Sequence, residues 1–177
     1  MAAMEAGRRG RRVAIVERAE RPGKKILISG GGRCNFTNLH TRPDNFLSAN
    51  PHFAKSALAR YTPADFIRLV ERHGIAYHEK TLGQLFCDGS AQQIVDLLMR
   101  ECVDAGVRVH LSKAVSKVRR EDVSGAFTIV AGNEALTAPA LMVATGGLSI
   151  PKMGATRFGY DLARQFGIPV EPCRPGL

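Results

Sequence analysis

The chain has 177 residues, 45% of them hydrophobic, and its 25 Lys and Arg outnumber 16 Asp and Glu for a net charge of +9. That composition excludes a disordered polymer, and the length supports one domain with a real core. No apolar run approaches the roughly 20 residues that cross a bilayer, and the basic start from Met1 to Arg12 lacks the apolar centre of a secretory signal.

Met1 to Gly10 reads as the last turns of a helix stopped by a glycine. Arg11 to Arg18 follows as a short apolar strand that ends abruptly in Glu17. In a dinucleotide-binding βαβ unit, an acid at the end of the second strand accepts hydrogen bonds from ribose hydroxyls, and Glu17 fits that role. The spacing in such a unit places the first strand and its glycine-rich turn before Met1. The reading is therefore an α/β chain: an incomplete Rossmann-like domain lacking its first strand and glycine-rich turn. Leu141 to Ala144 is expected as a second central strand, with the absent strand lying between it and Val13–Val16. Two strands without their neighbour leave amides unpaired, so the isolated chain is expected to fold poorly and bind cofactor weakly.

The stretch from Lys24 to Asn38 concentrates chemistry. It reads as a loop in which Gly30, Gly31 and Gly32 allow positive φ and leave backbone amides uncovered. Such amides form an anion nest, and Lys24, Lys25 and Arg33 supply the matching charge. A phosphate-bearing cofactor suits that arrangement; a mobile loop with solvated cations is the alternative.

Further along, Thr62 caps a helix that has Pro63 at its first position, carries Phe66, Ile67, Leu69 and Val70, and stops at Gly74. Ile75 to His78 is a short strand, and Leu85-Phe86-Cys87 packs inward. Ser90 is expected to cap a second helix whose Ile94, Leu97, Leu98 and Cys102 share a face. Gly106 ends it, and Val107 to Leu111 alternates as a strand. Ala114–Val118, Phe127–Ala131 and Glu134–Ala138 then form a β-meander with turns at Asp122–Gly125 and Gly132-Asn133. The apolar run Ala140 to Ala144 looks like a strand buried on both faces. It ends in Thr145-Gly146-Gly147, small residues that let a ligand approach the backbone. A last helix runs from Phe158 to Gly167, and Pro169, Pro172 and Pro175 keep the tail extended.

The segments Ala2–Gly10, Glu17, Pro22–Lys25, Ser29–Asn38 and Ala144–Ser149 together resemble the BaiN/YhiN-like bacterial FAD-dependent oxidoreductases. These are two-dinucleotide-binding-domain flavoproteins, aminoacetone oxidase-like and bile-acid reductase-like members among them. The resemblance spans nearly all of residues 1–177 and implies one partial FAD-binding domain, with the β-meander as its crossover and a substrate domain beyond Leu177. It implies FAD as cofactor, held by Glu17, Arg18, Lys24, Lys25, Gly30, Gly31, Gly32, Arg33, Asn35, Val115, Thr145, Gly146 and Gly147. Val115 would touch the adenine through its backbone, an ordinary strand valine being the alternative. Arg33 and Asn35 would lie near the flavin ring. Arg157 and Phe158 depart from the family pattern, which has Gly and Asp there, and are left out of the site.

The catalytic residue is open. Cys34 is a weak candidate, because cysteine is also a common small core residue. The other cysteines, Cys87, Cys102 and Cys173, form no close pair of the kind zinc sites use, and His73 and His78 do not share a helical face. No metal is expected, and reduced thiols suit a cytoplasmic protein. The function expected is the FAD-binding portion of an oxidoreductase acting on a small organic molecule, with NAD(P)H a candidate donor in the parent protein. The piece alone is expected to be inactive, with neither nucleic acid nor membrane as partner. A non-catalytic nucleotide-binding module and a basic nucleic-acid-binding protein are the alternatives, the latter because the net charge by itself supplies only salt-sensitive affinity.

Overall fold

A computed structural model describes residues 1–148 and 154–173. Ser149 and Pro175, which belong to two of the sequence expectations, lie outside them. The chain divides into two compact units that are interleaved in sequence. Unit 1 comprises Met1–Ala14 and Gly23–Arg108, and unit 2 comprises Ile15–Pro22 and the chain from Val109 onward. The chain crosses between units within β1, at the Pro22–Gly23 turn and within β5, so no long linker marks either one.

Unit 1 begins with α1 (Ala2–Arg8) and ends just inside β5 (Arg108–His110), the strand that pairs with β1 (Ala14–Val16). Between them lie α2 (Lys24–Ile28), β2 (Asn35–Asn38), α3 (Lys55–Arg60), α4 (Pro63–Arg72), β3 (Tyr77–Glu79), β4 (Gln84–Cys87) and α5 (Gln92–Asp104). The strands form an antiparallel sheet in the order β2-β4-β3, in which Phe86 faces both Asn35 and His78. A bulge between Asn35 and Thr37 turns β2 locally. Strand β4 is buried on both faces, as its unbroken Leu85-Phe86-Cys87 run requires. It packs into a core with Leu69 and Val70 of α4 and Ile94 and Leu97 of α5.

Helix starts and stops follow local chemistry. Asp65 N–H donates to Thr62 Oγ1 at 3.3 Å and Thr62 N–H donates to Asp65 Oδ2 at 2.7 Å, a reciprocal cap on α4. The hydrogen bonds from Thr62 hold the Asp65 carboxyl below its ordinary range. Helices α1, α4 and α5 close in the same way, with a positive-φ glycine and a 6→1 amide bond: Arg11 to Ala6 O, Ile75 to Val70 O and Val107 to Cys102 O. Ser90 does not cap α5 with its side chain. The first-turn cap is Ala91, and Ser90 instead donates its N–H to Gln93 Oε1 at 3.1 Å.

Two close contacts fix α1 on α5. A Cβ at Gly7 would stand 2.2 Å from the Ala105 carbonyl oxygen, so only glycine permits this approach. Beside it Glu101, buried in α5, is held by Arg8 and by His73 Nε2 at 2.8 Å. A buried carboxylate needs such partners, since desolvation is otherwise prohibitive.

Unit 2 is the expected meander: β6 (Val115–Arg120), β7 (Phe127–Ala131) and β8 (Glu134–Ala138), antiparallel in that order. Helix α6 (Phe158–Gln165) docks on it, with Gln165 Nε2 donating to Val118 O at 2.8 Å and Phe166 meeting Phe127 edge-on at 5.8 Å. The run Leu141–Ala144 is not a strand. Met142 is 71% exposed and Val143 45%, and none of the described strands pairs with the run. Apolar content marked it for burial, but a strand exists only through a ladder with a neighbour. Among the described residues no helix is long and apolar enough to cross a membrane.

Candidate cofactor site

In unit 1 the segment from Lys24 to Asn38 is more regular than a loop. Lys24–Ile28 forms one helical turn, started by Gly23 in the left-handed region, whose carbonyl accepts the Leu27 N–H at 3.0 Å. The turn ends at Ile28, where Ser29 leaves the helical region with ψ of 139° ahead of the glycines. Gly30, Gly31 and Gly32 then take φ of 59°, 66° and 86° in succession, a path side chains rarely follow.

The three glycines have different reasons. A Cβ on Gly30 would strike the Phe86 ring at 2.5 Å and the Asn35 nitrogen at 2.9 Å, so Gly30 is a packing residue. A Cβ on Gly31 would meet nothing within 4 Å, and one on Gly32 only the Leu27 carbonyl oxygen at 3.9 Å. Bare backbone at Gly31 and Gly32 is what the close approach of a phosphate-bearing cofactor requires. The amides of Arg33 and Cys34 turn inward instead, onto the carbonyls of Gly30 and Ser29. Their closing bonds leave recognition to the Gly31–Gly32 surface and to the side chains. Arg33 and Asn35 are both exposed, Asn35 opening β2, while Lys24 is half-buried and Lys25 exposed on α2.

Cys34 follows in the left-handed region at φ 52° and is 5% exposed. Burial first, then neighbouring Cys87, push its thiol up to about 11 from 9.0. It therefore keeps its proton at neutral pH, unlike a cysteine built as a nucleophile. The native state binds more protons than the unfolded chain only between those two values. Stability contributed by this thiol is thus expected to be intact below pH 9.0 and to fall as pH rises toward 11. Thermal melts across that range should show the decline, and a Cys34→Ala variant should flatten it; equal slopes in both would refute the assignment.

In unit 2, Glu17 leaves β1 with its backbone tied on both sides: its N–H donates to His110 O at 2.9 Å and its carbonyl accepts the Lys113 N–H at 3.0 Å. One carboxylate oxygen accepts the Ala19 N–H at 2.8 Å, which orients the side chain and leaves the other oxygen for a ligand hydroxyl. Arg18 is exposed, with its guanidinium against the Gly154 backbone. Val115 opens β6 opposite Ala131, beside a bulge that frees part of its ladder. Thr145 and Gly147 lie against the start of α6, where a Cβ on Gly159 would meet Thr145 Oγ1 at 2.9 Å and one on Gly147 would meet the Tyr160 hydroxyl at 3.1 Å. Gly146, at φ 73°, has open space where a side chain would be. Gly31 and Gly32 in unit 1 and Gly146 in unit 2 thus present uncovered backbone, and Glu17 an oriented carboxylate acceptor, groups whose chemistry suits a dinucleotide.

Sequence reasoning did not single out His110, Lys113 and Glu134, which cluster in unit 2. Lys113 Nζ lies 2.9 Å from Glu134 Oε1 and His110 Nδ1 3.6 Å from Glu134 Oε2, while His110 Nε2 is buried without a hydrogen-bond partner among the described residues. The Lys113 hydrogen bond holds the Glu134 carboxyl below its ordinary range. Nothing in spacing announces them, because β5 and β8 bring them together across the meander.

The HI0933-like protein Rossmann domain matches residues 1–176. The chain is 55% identical over 172 residues to the ribosomal RNA dihydrouridine synthase of Escherichia coli K12, covering 97% of this chain and 42% of that protein. It is 27% identical over 166 residues to the 3-dehydro-bile acid delta(4,6)-reductase of Clostridium scindens, covering 93% of this chain and 40% of the relative. It thus spans less than half the length of the curated relatives it matches. Among solved structures, Thermovibrio ammonificans THI4 superposes with a TM-score of 0.53 at 16% identity, over 95% of this chain and 58% of the other. At that identity the likeness speaks for the fold alone. The family match over nearly the whole chain is of a different order, and by it the chain belongs to the HI0933-like Rossmann domains.

Proposed function

We propose that this chain is the FAD-binding portion of an oxidoreductase that reduces a uracil ring in ribosomal RNA to dihydrouracil. The observation that carries the substrate is the 55% identity, over 97% of the chain, to a ribosomal RNA dihydrouridine synthase. The net charge of +9 agrees with a polyanionic partner. This reading departs from the expectation of a small substrate and no nucleic acid. A small organic substrate is the second reading, favoured by the 27% identity to a bile-acid reductase.

When bound, FAD supplies the hydride chemistry, and the protein supplies binding, orientation and electrostatics. Gly31 and Gly32 would receive the pyrophosphate or flavin edge on bare backbone, with Lys24, Lys25 and Arg33 as the cationic surround. Glu17 would accept a ribose hydroxyl with its remaining oxygen. Thr145, Gly146 and Gly147 would admit the cofactor without steric contact, and Val115 would face the adenine. Arg33 and Asn35 would bring positive charge and an amide toward the ring. Cys34 enters only as a group that holds its proton at neutral pH. NAD(P)H is the proposed donor.

The test is genetic and chemical. Deleting the gene should remove a dihydrouridine from ribosomal RNA, read by mass spectrometry of nuclease digests as loss of the nucleoside heavier by two hydrogens. An unchanged digest would sink the RNA reading in favour of the small-molecule one. Purified protein mixed with FAD and desalted should retain a flavin absorption spectrum in either case.

A further inference from the structure

Unit 1 carries an open cleft of about 840 Å³, away from the bare face of Gly31 and Gly32. Its walls are α1, the end of α3 and one face of α4, and Phe36 and Thr37 of β2 reach it. Arg8, Arg9, Arg60, Arg68 and Arg72 all line it, against the acids Glu5 and Asp65 alone.

The acids are already engaged. Glu5 pairs with Arg9 at 2.8 Å, and Asp65 pairs with Arg68. Arg8 is committed to buried Glu101. Arg60 and Arg72 are exposed at the last residues of α3 and α4, with no carboxylate partner among the described residues. Neither guanidinium is neutralised by a carboxylate among the described residues, and both line the same cleft. Both are therefore available to phosphate.

The cleft also offers ring surfaces. Tyr61 stands beside Arg60 in the chain and is 42% exposed among these arginines. Phe36 and Phe66 also line the cleft with ring centroids 5.9 Å apart, and Phe36 meets Tyr77 edge-on at 5.5 Å. Planar guanidinium groups suited to phosphate, interleaved with an exposed aromatic ring, are the means by which proteins hold single-stranded nucleic acid: phosphates pair with arginine and bases stack on rings. An acidic peptide would use the charge but leave the ring without a purpose.

We infer that the cleft bounded by Arg60, Tyr61 and Arg72 is a contact surface for single-stranded RNA, taking phosphates on the two arginines and a base on the tyrosine. The inference rests on the proposed RNA substrate and adds where that substrate touches this chain. β2 links the two regions, since it opens with Asn35 and continues through Phe36 and Thr37 into the cleft.

The experiment measures anisotropy of a short fluorescein-labelled oligouridylate with the FAD-loaded protein produced from its whole gene, across a salt series. The Arg60→Ala/Arg72→Ala variant should bind at least about tenfold more weakly and shift the slope of log K against log salt by about 0.7 per lost phosphate contact. Its flavin spectrum and circular dichroism should match the parent. Tyr61→Ala should weaken binding without changing the salt slope, and Arg60→Lys/Arg72→Lys should restore most of it. Unchanged affinity in the double alanine variant overturns the cleft assignment while leaving the RNA reading intact. Loss of flavin together with RNA also overturns it, because the arginines would then serve the cofactor. Polyglutamate competing as well as RNA assigns the surface to an acidic protein and overturns it likewise. A parent protein that holds flavin but binds no oligouridylate overturns the inference, and an unchanged ribosomal RNA digest on gene deletion overturns the RNA reading with it.

Discussion

Gly30→Ala is expected to cost the protein its bound flavin and several degrees of thermal stability. The new Cβ would lie 2.5 Å from Phe86 Cε1 and 2.9 Å from the Asn35 backbone nitrogen. Neither neighbour can yield cheaply. Phe86 is 7% exposed, faces Asn35 and His78 across the sheet, and stacks on the His78 ring with centroids 6.3 Å apart. The left-handed conformation at φ 59° adds about 1–2 kcal/mol for any side chain, and overpacking adds about 1–3 kcal/mol. Relief comes by moving the glycine turn, which displaces the Gly31–Gly32 surface and Arg33 with it. Gly74→Ala is the control: at φ 64° its Cβ meets nothing within 4 Å and it carries only the conformational cost. Flavin absorbance after desalting and melting temperature read both variants. If Gly30→Ala retains flavin and melts with Gly74→Ala, the packing role assigned to Gly30 is wrong.

Gly7→Ala should be as damaging, by a different route and without reference to cofactor. Its Cβ would stand 2.2 Å from a backbone oxygen, that of Ala105, and helix backbone does not move aside as a side-chain tip does. Helix α1 must withdraw from α5, taking Arg8 away from Glu101, which is left buried with His73 alone. Loss of one partner from a buried ion pair costs about 3–5 kcal/mol. The same ion pair gives the check. In an Arg8→Ala background, Gly7→Ala should cost less than in the parent, because the withdrawn partner is already gone. Strict additivity of the two melting shifts would show that the glycine and the ion pair are unconnected.

Much of this structure was legible because it is written in short-range chemistry. The Thr62–Asp65 cap, the glycine stops after α1, α4, α5 and α6, and the meander with its Gly125 and Gly132 turns each involve residues a few positions apart. Burial of Leu85-Phe86-Cys87 was equally plain, since an unbroken apolar run has no polar face to give water. Where two local signals competed, reading failed. Three glycines argued for a loop from Lys24 onward, yet the apolar residues before them complete a helical turn. Ser90 had the right chemistry for a cap, but Gln93 reaches back to its amide and moves the helix start by one residue.

The amino-acid sequence by itself determined the class of domain and the helix boundaries set by glycine and threonine. All of these depend on conformational preferences that a residue carries wherever it stands. Tertiary structure alone decided the rest. Leu141–Ala144 has the composition of a core strand, but strand formation needs a partner that composition cannot supply. Gly7 and Gly30 look like any other glycines until Ala105 and Phe86 are brought against them. The arginines at 8, 9, 60, 68 and 72 are scattered along the chain and read as general surface charge; only the packing of α1, α3 and α4 gathers them around one cleft. Charge is a property of residues, whereas a charged site is a property of distances, and distances between remote residues are set by the fold.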